Sequence, residues 1–276
     1  MAQEQPETAL QTVTNNTETR YNSVDCLDLG LWLGFGLMAN GAEAIRVEDS
    51  VTRILNAYDL RDAEVFAVSN YLHVSARSRS GKPISFGKRM QGSSSNNLDK
   101  VDRLNDLARH ITSETPDPLL TLKEVKDIID SPGYPFRIHA FSVALAAFAF
   151  SLLLGSSLLP ALWATAASVI MINILKPIRK HYANPIFINL IGSILITLLI
   201  WPVTFTSFSS ESLLMMTASF MYFFPGIALI NSTRDLMAGD LSAGLAKLVE
   251  VVLLAISVAV GSGATLALLN RIWPLA

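Results

Sequence analysis

Hydrophobic and polar positions change their rhythm near residue 137. Before it, apolar residues come in short periodic sets; after it, they come in runs long enough to cross a bilayer. Leu27 to Asn40 is mostly apolar and stops at Asn40-Gly41, a helix C-terminal signal, and Ala44, Val47, Val51, Ile54, Leu55 and Tyr58 follow at helical spacing. Val65–Val68, Tyr71–Ala76 and Ile84–Phe86 are β-rich runs separated by turn residues, which predicts a small antiparallel sheet. The Gly92–Asn97 stretch reads as a loop. Leu98, Val101, Leu104, Leu107, Ala108 and Ile111 form another helical stripe. Thr121-x-x-Glu124 has the spacing of a capping box opening a short helix, which Ser131-Pro132-Gly133 ends.

From Ile138 to Leu175 there is no Lys, Arg, Asp or Glu, a run too long for one crossing of a hydrocarbon core about 30 Å thick. A turn at Gly155-Ser156-Ser157 makes it two crossings. Lys176, Arg179 and Lys180 cluster in "KPIRKHY", and "TSFSS" at 206–210 divides the next apolar stretch into a third and a fourth crossing. A fifth begins near Leu241, carrying Lys247 and Glu250 in its first turns. The predicted fold is therefore an α-helical integral membrane protein with five transmembrane helices, preceded by a small α+β cytoplasmic domain. Residues 1–24 are a disordered tail, 25–133 the α+β domain and 134–276 the membrane domain, with helices near 138–155, 157–175, 185–206, 212–231 and 241–269.

Composition sharpens this division. The chain is 51% hydrophobic and 16% charged with a mean hydropathy of +0.40, and 34 of its 44 charged residues precede Ile138. Arg137, the Lys176–Lys180 cluster and Arg234 mark one side of the membrane, while the loops at 155–157 and 206–211 hold no basic residue. The positive-inside rule puts the N-terminal domain in the cytoplasm and, after five crossings, the C-terminus with Arg271 outside the inner membrane. The first 24 residues have no apolar run and so are not a signal peptide. The one cysteine, Cys26, allows no intramolecular disulfide and no metal cluster.

Catalytic machinery is hard to find. "SRSGKPIS" at 78–85 lacks the first glycine of a phosphate loop, since Ala76 stands there, and it is not at a strand-to-helix turn. His73, His110, His139 and His181 are scattered singly, which gives neither a metal site nor a triad. No cofactor, metal or nucleic acid is expected. "NGAEAIRVEDS" crowds Glu43, Arg46, Glu48 and Asp49 into the start of a helix. It reads either as dipole complement with an Asp49–Arg53 pair or as a carboxylate–arginine cluster facing a partner or a pore mouth.

The densest chemistry lies in "FFPGIALINSTRDLMAGD", Phe223 to Asp240. Pro225 lacks an amide proton and frees the carbonyl near Met221, and Gly226 loosens the backbone, so the fourth crossing is expected to kink there. Asn231 and Arg234 share a side of the helix, and an arginine fork suits a carboxylate. Asp235 and Asp240 are candidates for binding an ammonium group, pairing with Arg234 or carrying a coupling proton. Gly239 and Gly244 would allow a tight turn and close helix approach. Glu250 either pairs with Lys247 or titrates. Asn173 and Asn189 read as interhelical hydrogen-bond partners.

A soluble domain opening with "GAEAIRVE" and five membrane helices with "FFPGIALINSTRDLMAGDLSAGLAK" between the last two resemble the threonine/serine exporter family, N-terminal half, over roughly residues 27–270. The resemblance implies a secondary exporter of small amino acids, or of small dicarboxylates in split members, driven by an ion gradient, with the proton as the expected ion. Long members look like this chain fused to a second hydrophobic block. The second half is therefore expected from a separate small membrane protein or from a second copy, in the inverted arrangement common among transporters. Two other readings are a membrane-anchored hydrolase using the Glu43–Asp49 cluster and a regulatory scaffold.

Overall fold

The computed structural model describes residues 21–68, 70–90, 96–181 and 184–273. The tail reading for residues 1–20, most of the Gly92–Asn97 loop and Tyr182 of the basic turn lie outside them. The chain divides into two compact units, Met1–Ser131 and Pro132–Ala276.

In the first unit α1 (Ser23–Ala39) is the central element, its N-terminus capped by Asn22, whose Oδ1 accepts from Val24 N at 3.1 Å. Leu27, Leu29, Leu33 and Leu37 are fully buried. Glycines let its neighbours come close: a Cβ on Gly34 would meet Val51 and Leu72 at 2.6 and 2.8 Å, and one on Gly36 would meet Ile129 at 2.8 Å. These contacts belong to α2 (Ala44–Ala57), to the sheet, and to α4 (Pro118–Asp130), with α3 (Leu98–Glu114) also packed on α1. The sheet is antiparallel in the order β1 (Arg61–Val68), β2 (Tyr71–Arg77), β3 (Pro83–Arg89), with Val65 opposite Val74 and Val74 opposite Phe86. β1 starts earlier than its apolar run: Arg61 pairs with Arg77 past an irregularity between Arg61 and Glu64, where Arg77 also meets Asp62 at 2.9 Å. Cys26 is buried on α1, and burial pushes its thiol up to about 12.

The capping-box expectation at Thr121 is corrected. Asp117 accepts from Leu119 N and Leu120 N, and Pro118 occupies the first helical position where an N–H is not needed. Thr121 instead donates to Asp117 O inside the first turn.

The second unit holds α5 (Phe136–Leu153), α6 (Leu158–His181), α7 (Pro185–Ile200) continued by a 3-10 turn Trp201–Phe205, α8 (Ser212–Phe220), α9 (Gly226–Met237) and α10 (Leu241–Ile272). Among the described residues, four helical segments are long and apolar enough to cross a membrane: Phe136–Leu153, Leu158–His181, Pro185–Phe205 and Leu241–Ile272. The bent pair Ser209–Phe223 plus Gly226–Met237 makes a fifth if it is one span. The basic cluster expected as a loop forms the last turns of α6, where Arg179, Lys180 and His181 favour the negative end of the helix dipole.

Met171, Ile172, Leu175, Ile196, Ile200, Met215 and Phe223 form the core of this unit. Small residues set its closest approach. A Cβ on Gly261 of α10 would collide with Ser193 Oγ and stand 2.7 Å from Leu190 O of α7, and one on Gly192 would collide with the Phe223 ring. Buried hydroxyls of Thr197, Ser219, Ser232 and Thr265 donate to carbonyls of their own helices, as apolar surroundings require. At the end away from Lys176, Glu211 accepts from Ser157 N at 2.6 Å and from Ser157 Oγ at 2.9 Å, tying the α5–α6 turn to the start of α8.

Candidate functional site

The segment from α8 to α9 is bent by 60°. α8 tightens into a 3-10 turn, Met221–Phe223, and α9 restarts at Gly226. Pro225 has no proton for the Met221 carbonyl, so Phe224 N takes that acceptor at 3.2 Å, and the α-helical pattern resumes with Leu229 N to Pro225 O at 3.0 Å. The expected free carbonyl is thus satisfied by the tighter turn. Phe223 fixes the bend by burying its ring against Gly192 of α7.

Three turns later α9 ends in a charged, compact corner. Gly239 adopts φ +93°, the left-handed conformation that glycine takes without a side-chain penalty, and Gly239 N and Asp240 N donate to Leu236 O and Asp235 O. Asp240 then caps α10, accepting from Ala243 N and Ser242 Oγ, both at 3.0 Å. Gly244 brings α10 against α9: a Cβ there would lie 2.6 Å from Leu236 Cγ and 2.9 Å from its backbone nitrogen.

This close packing buries Asp235 to 1% exposure, with Lys247 Nζ 2.9 Å from its Oδ2. Among the described residues Oδ1 has no hydrogen-bond partner. Lys247, itself 15% exposed, therefore neutralises a carboxylate twelve residues away and not Glu250, three residues along its own helix. Glu250 is exposed on α10. Asp235 is thus paired with Lys247, and Asp240 serves as the cap of α10. Arg234 is exposed on α9, with Asn231 half-buried one turn before it.

Asn173 does not reach another helix; its Nδ2 donates to Val169 O, one turn back in α6. Asn189 is buried on α7. In the first unit Glu43 occupies the N-cap position of α2 and Arg46 is exposed. Glu48 accepts from Ala67 N at 2.9 Å, closing the β1 edge, and Asp49 pairs with Arg53 at 2.9 Å on the helix surface. Glu48 and Asp49 line an open groove of about 630 Å³ with Glu64, Phe66 and His73, and no group of three metal-ligating side chains is assembled among the described residues.

A second polar grouping could not be read from spacing. Arg179 near the end of α6 donates to the Tyr222 hydroxyl at 2.5 Å, and its guanidinium carbon is 5.5 Å from that ring. His139 Nε2 of α5 is 3.4 Å from the same hydroxyl, and Lys176 Nζ is 4.2 Å from the Phe136 ring. His139, Arg179 and Tyr222 lie forty residues or more apart in the chain, so only the packing of α5, α6 and the 3-10 turn joins them. The one signal in the sequence was a tyrosine two residues from "FPG".

A family model described as "Putative threonine/serine exporter" matches residues 28–269, covering both units and the whole of the bent segment. None of the curated proteins or solved structures compared matches the chain.

Proposed function

This chain belongs to the threonine/serine exporter family, and from that premise we propose that it is a subunit of a secondary-active exporter carrying small amino acids outward across the cytoplasmic membrane. The observation that carries the reading is the Asp235–Lys247 pair, buried between α9 and α10 beside a broken helix and leaving Asp235 Oδ1 unused. A buried carboxylate with an open oxygen has a free acceptor for a proton or an ammonium group.

In this reading the proton is the coupling ion. Protonation of Asp235 cancels its attraction for Lys247, loosens α9 from α10, and lets the bend at Pro225-Gly226 change angle; loss of the proton restores the pair. Asn231 and Arg234 lie on α9 within one turn of Asp235 and face the solute's polar groups. The first unit lies in the cytoplasm and, with the bent pair as one span, the C-terminus lies outside. The chain acts as a carrier and not as an enzyme. A second transporter half comes from a separate small membrane protein or another copy, which would cover α5 and α10, where Phe141, Leu145, Leu245 and Val249 are exposed.

Efflux of labelled threonine, serine and succinate from preloaded cells tests this, with the chain alone and with its candidate partner. Threonine and serine should leave, and Asp235→Asn should reduce the gradient-driven rate at least tenfold. Retention of all three solutes by a correctly inserted protein would overturn the transport reading, and efflux of succinate alone would replace its substrate class.

A further inference from the structure

The membrane unit neutralises one charge internally and leaves another unmatched. Asp235 has Lys247, whereas Arg179 has no carboxylate within salt-bridge distance among the described residues. Its guanidinium is held instead by a phenol, the Tyr222 hydroxyl at 2.5 Å. That hydrogen bond uses one of five N–H donors and leaves the charge intact. His139 approaches the same hydroxyl from α5, and Lys176, one turn before Arg179, adds a second positive charge over Phe136. Three elements thus bring two cations, an imidazole and a phenol together with no anion among them. Tyr222 also belongs to the turn that ends at Pro225, where α9 begins without a side-chain cap, its N-terminal amides adding positive potential.

We propose that Arg179, steadied by Tyr222 and flanked by His139 and Lys176, receives the carboxylate of the solute at the basic end of the membrane unit, before the solute reaches Asp235. The planar fork suits a two-oxygen anion, and Tyr222 fixes its orientation, which an arginine serving only to anchor topology does not need. Lipid headgroups offer the same oxyanion chemistry. Attachment of Arg179 to the turn beside the break favours the solute, because occupancy there would be felt by the element that bends. This inference rests on the exporter reading for the identity of the solute.

The test is equilibrium binding of labelled threonine to the full chain in nanodiscs of neutral lipid, with threoninol, which lacks the carboxylate, as competitor. Threonine should bind without anionic lipid, and threoninol should compete at least tenfold more weakly. Arg179→Gln should weaken binding at least tenfold, Arg179→Lys should recover part of it, and Tyr222→Phe should lose less than Arg179→Gln. In efflux, Arg179→Gln should raise KM more than it lowers kcat. The proposal falls if Arg179→Gln keeps wild-type affinity, if threoninol competes equally, or if wild type binds nothing. It falls equally if the substitution abolishes only retention of phosphatidylglycerol, which would make the site a headgroup site. Binding that depends on Arg179 without any efflux by wild type would sustain this site and refute the exporter reading.

Discussion

Asp235 and Lys247 depend on each other because both are shielded from water. Lys247→Gln leaves a buried carboxylate without its cation and should cost about 3 kcal/mol of stability, whereas Asp235→Asn with Lys247→Gln should recover most of that loss without recovering transport. Thermal unfolding in one detergent, read beside efflux, separates the two effects. The sequence marked both residues, but its helical arithmetic offered Lys247 a partner in Glu250, as one of two readings, and not in Asp235. The true partner lies across a glycine turn, and only the closeness allowed by Gly244 reveals it. Cys26 gives a residue-scale prediction in the first unit. Its folded thiol holds a proton that an unfolded thiol releases above about pH 9, so the native state binds the extra proton and loses stability as pH rises from about 9 toward 12, by up to about 1.4 kcal/mol per unit. Unfolding followed from pH 8 to 10.5 should show a steeper decline for wild type than for Cys26→Ala, and iodoacetamide should leave the native thiol unmodified at pH 8.

Among the elements, α10 is set by what it lacks. Gly244→Val drives a side chain into Leu236 and its backbone, and Gly261→Val drives one into Ser193 and the Leu190 carbonyl, so each should lower the melting temperature or prevent insertion. Gly263→Val, two residues on with nothing within 4 Å, should do neither. Periodicity was enough to find most helices and all three strands, because apolar spacing records which face a segment buries. It misjudged the start of α4, where Asp117 and Pro118 outweigh the Thr121 spacing, and the end of α6, where Pro177 is accommodated within a helix that continues to His181. The break before α9 was legible in Pro225-Gly226, since a missing N–H acts locally. The Arg179–Tyr222–His139 grouping was not, because its members meet only through packing between helices.

At the scale of the whole molecule, orientation has a direct test that uses the single cysteine. In a Cys26→Ser background, Ser210→Cys should react with a membrane-impermeant maleimide from outside intact cells, and Lys180→Cys only after the cytoplasmic face is opened; both positions are exposed. The reverse pattern would invert the topology. The Glu211 carboxylate has a mechanical consequence for the membrane unit. By grasping both Ser157 N and Ser157 Oγ it clamps the beginning of α6 to the beginning of α8, while toward the far ends of those helices Leu175 and Phe223 share the apolar core and Arg179 meets Tyr222 beside the bend. The assembly resembles tongs riveted at one tip: small rotations near the rivet become the largest excursions at the opposite tip. In the exporter reading the mouth next to Pro225 should therefore open most freely, and severing the rivet with Glu211→Gln should let the other mouth leak.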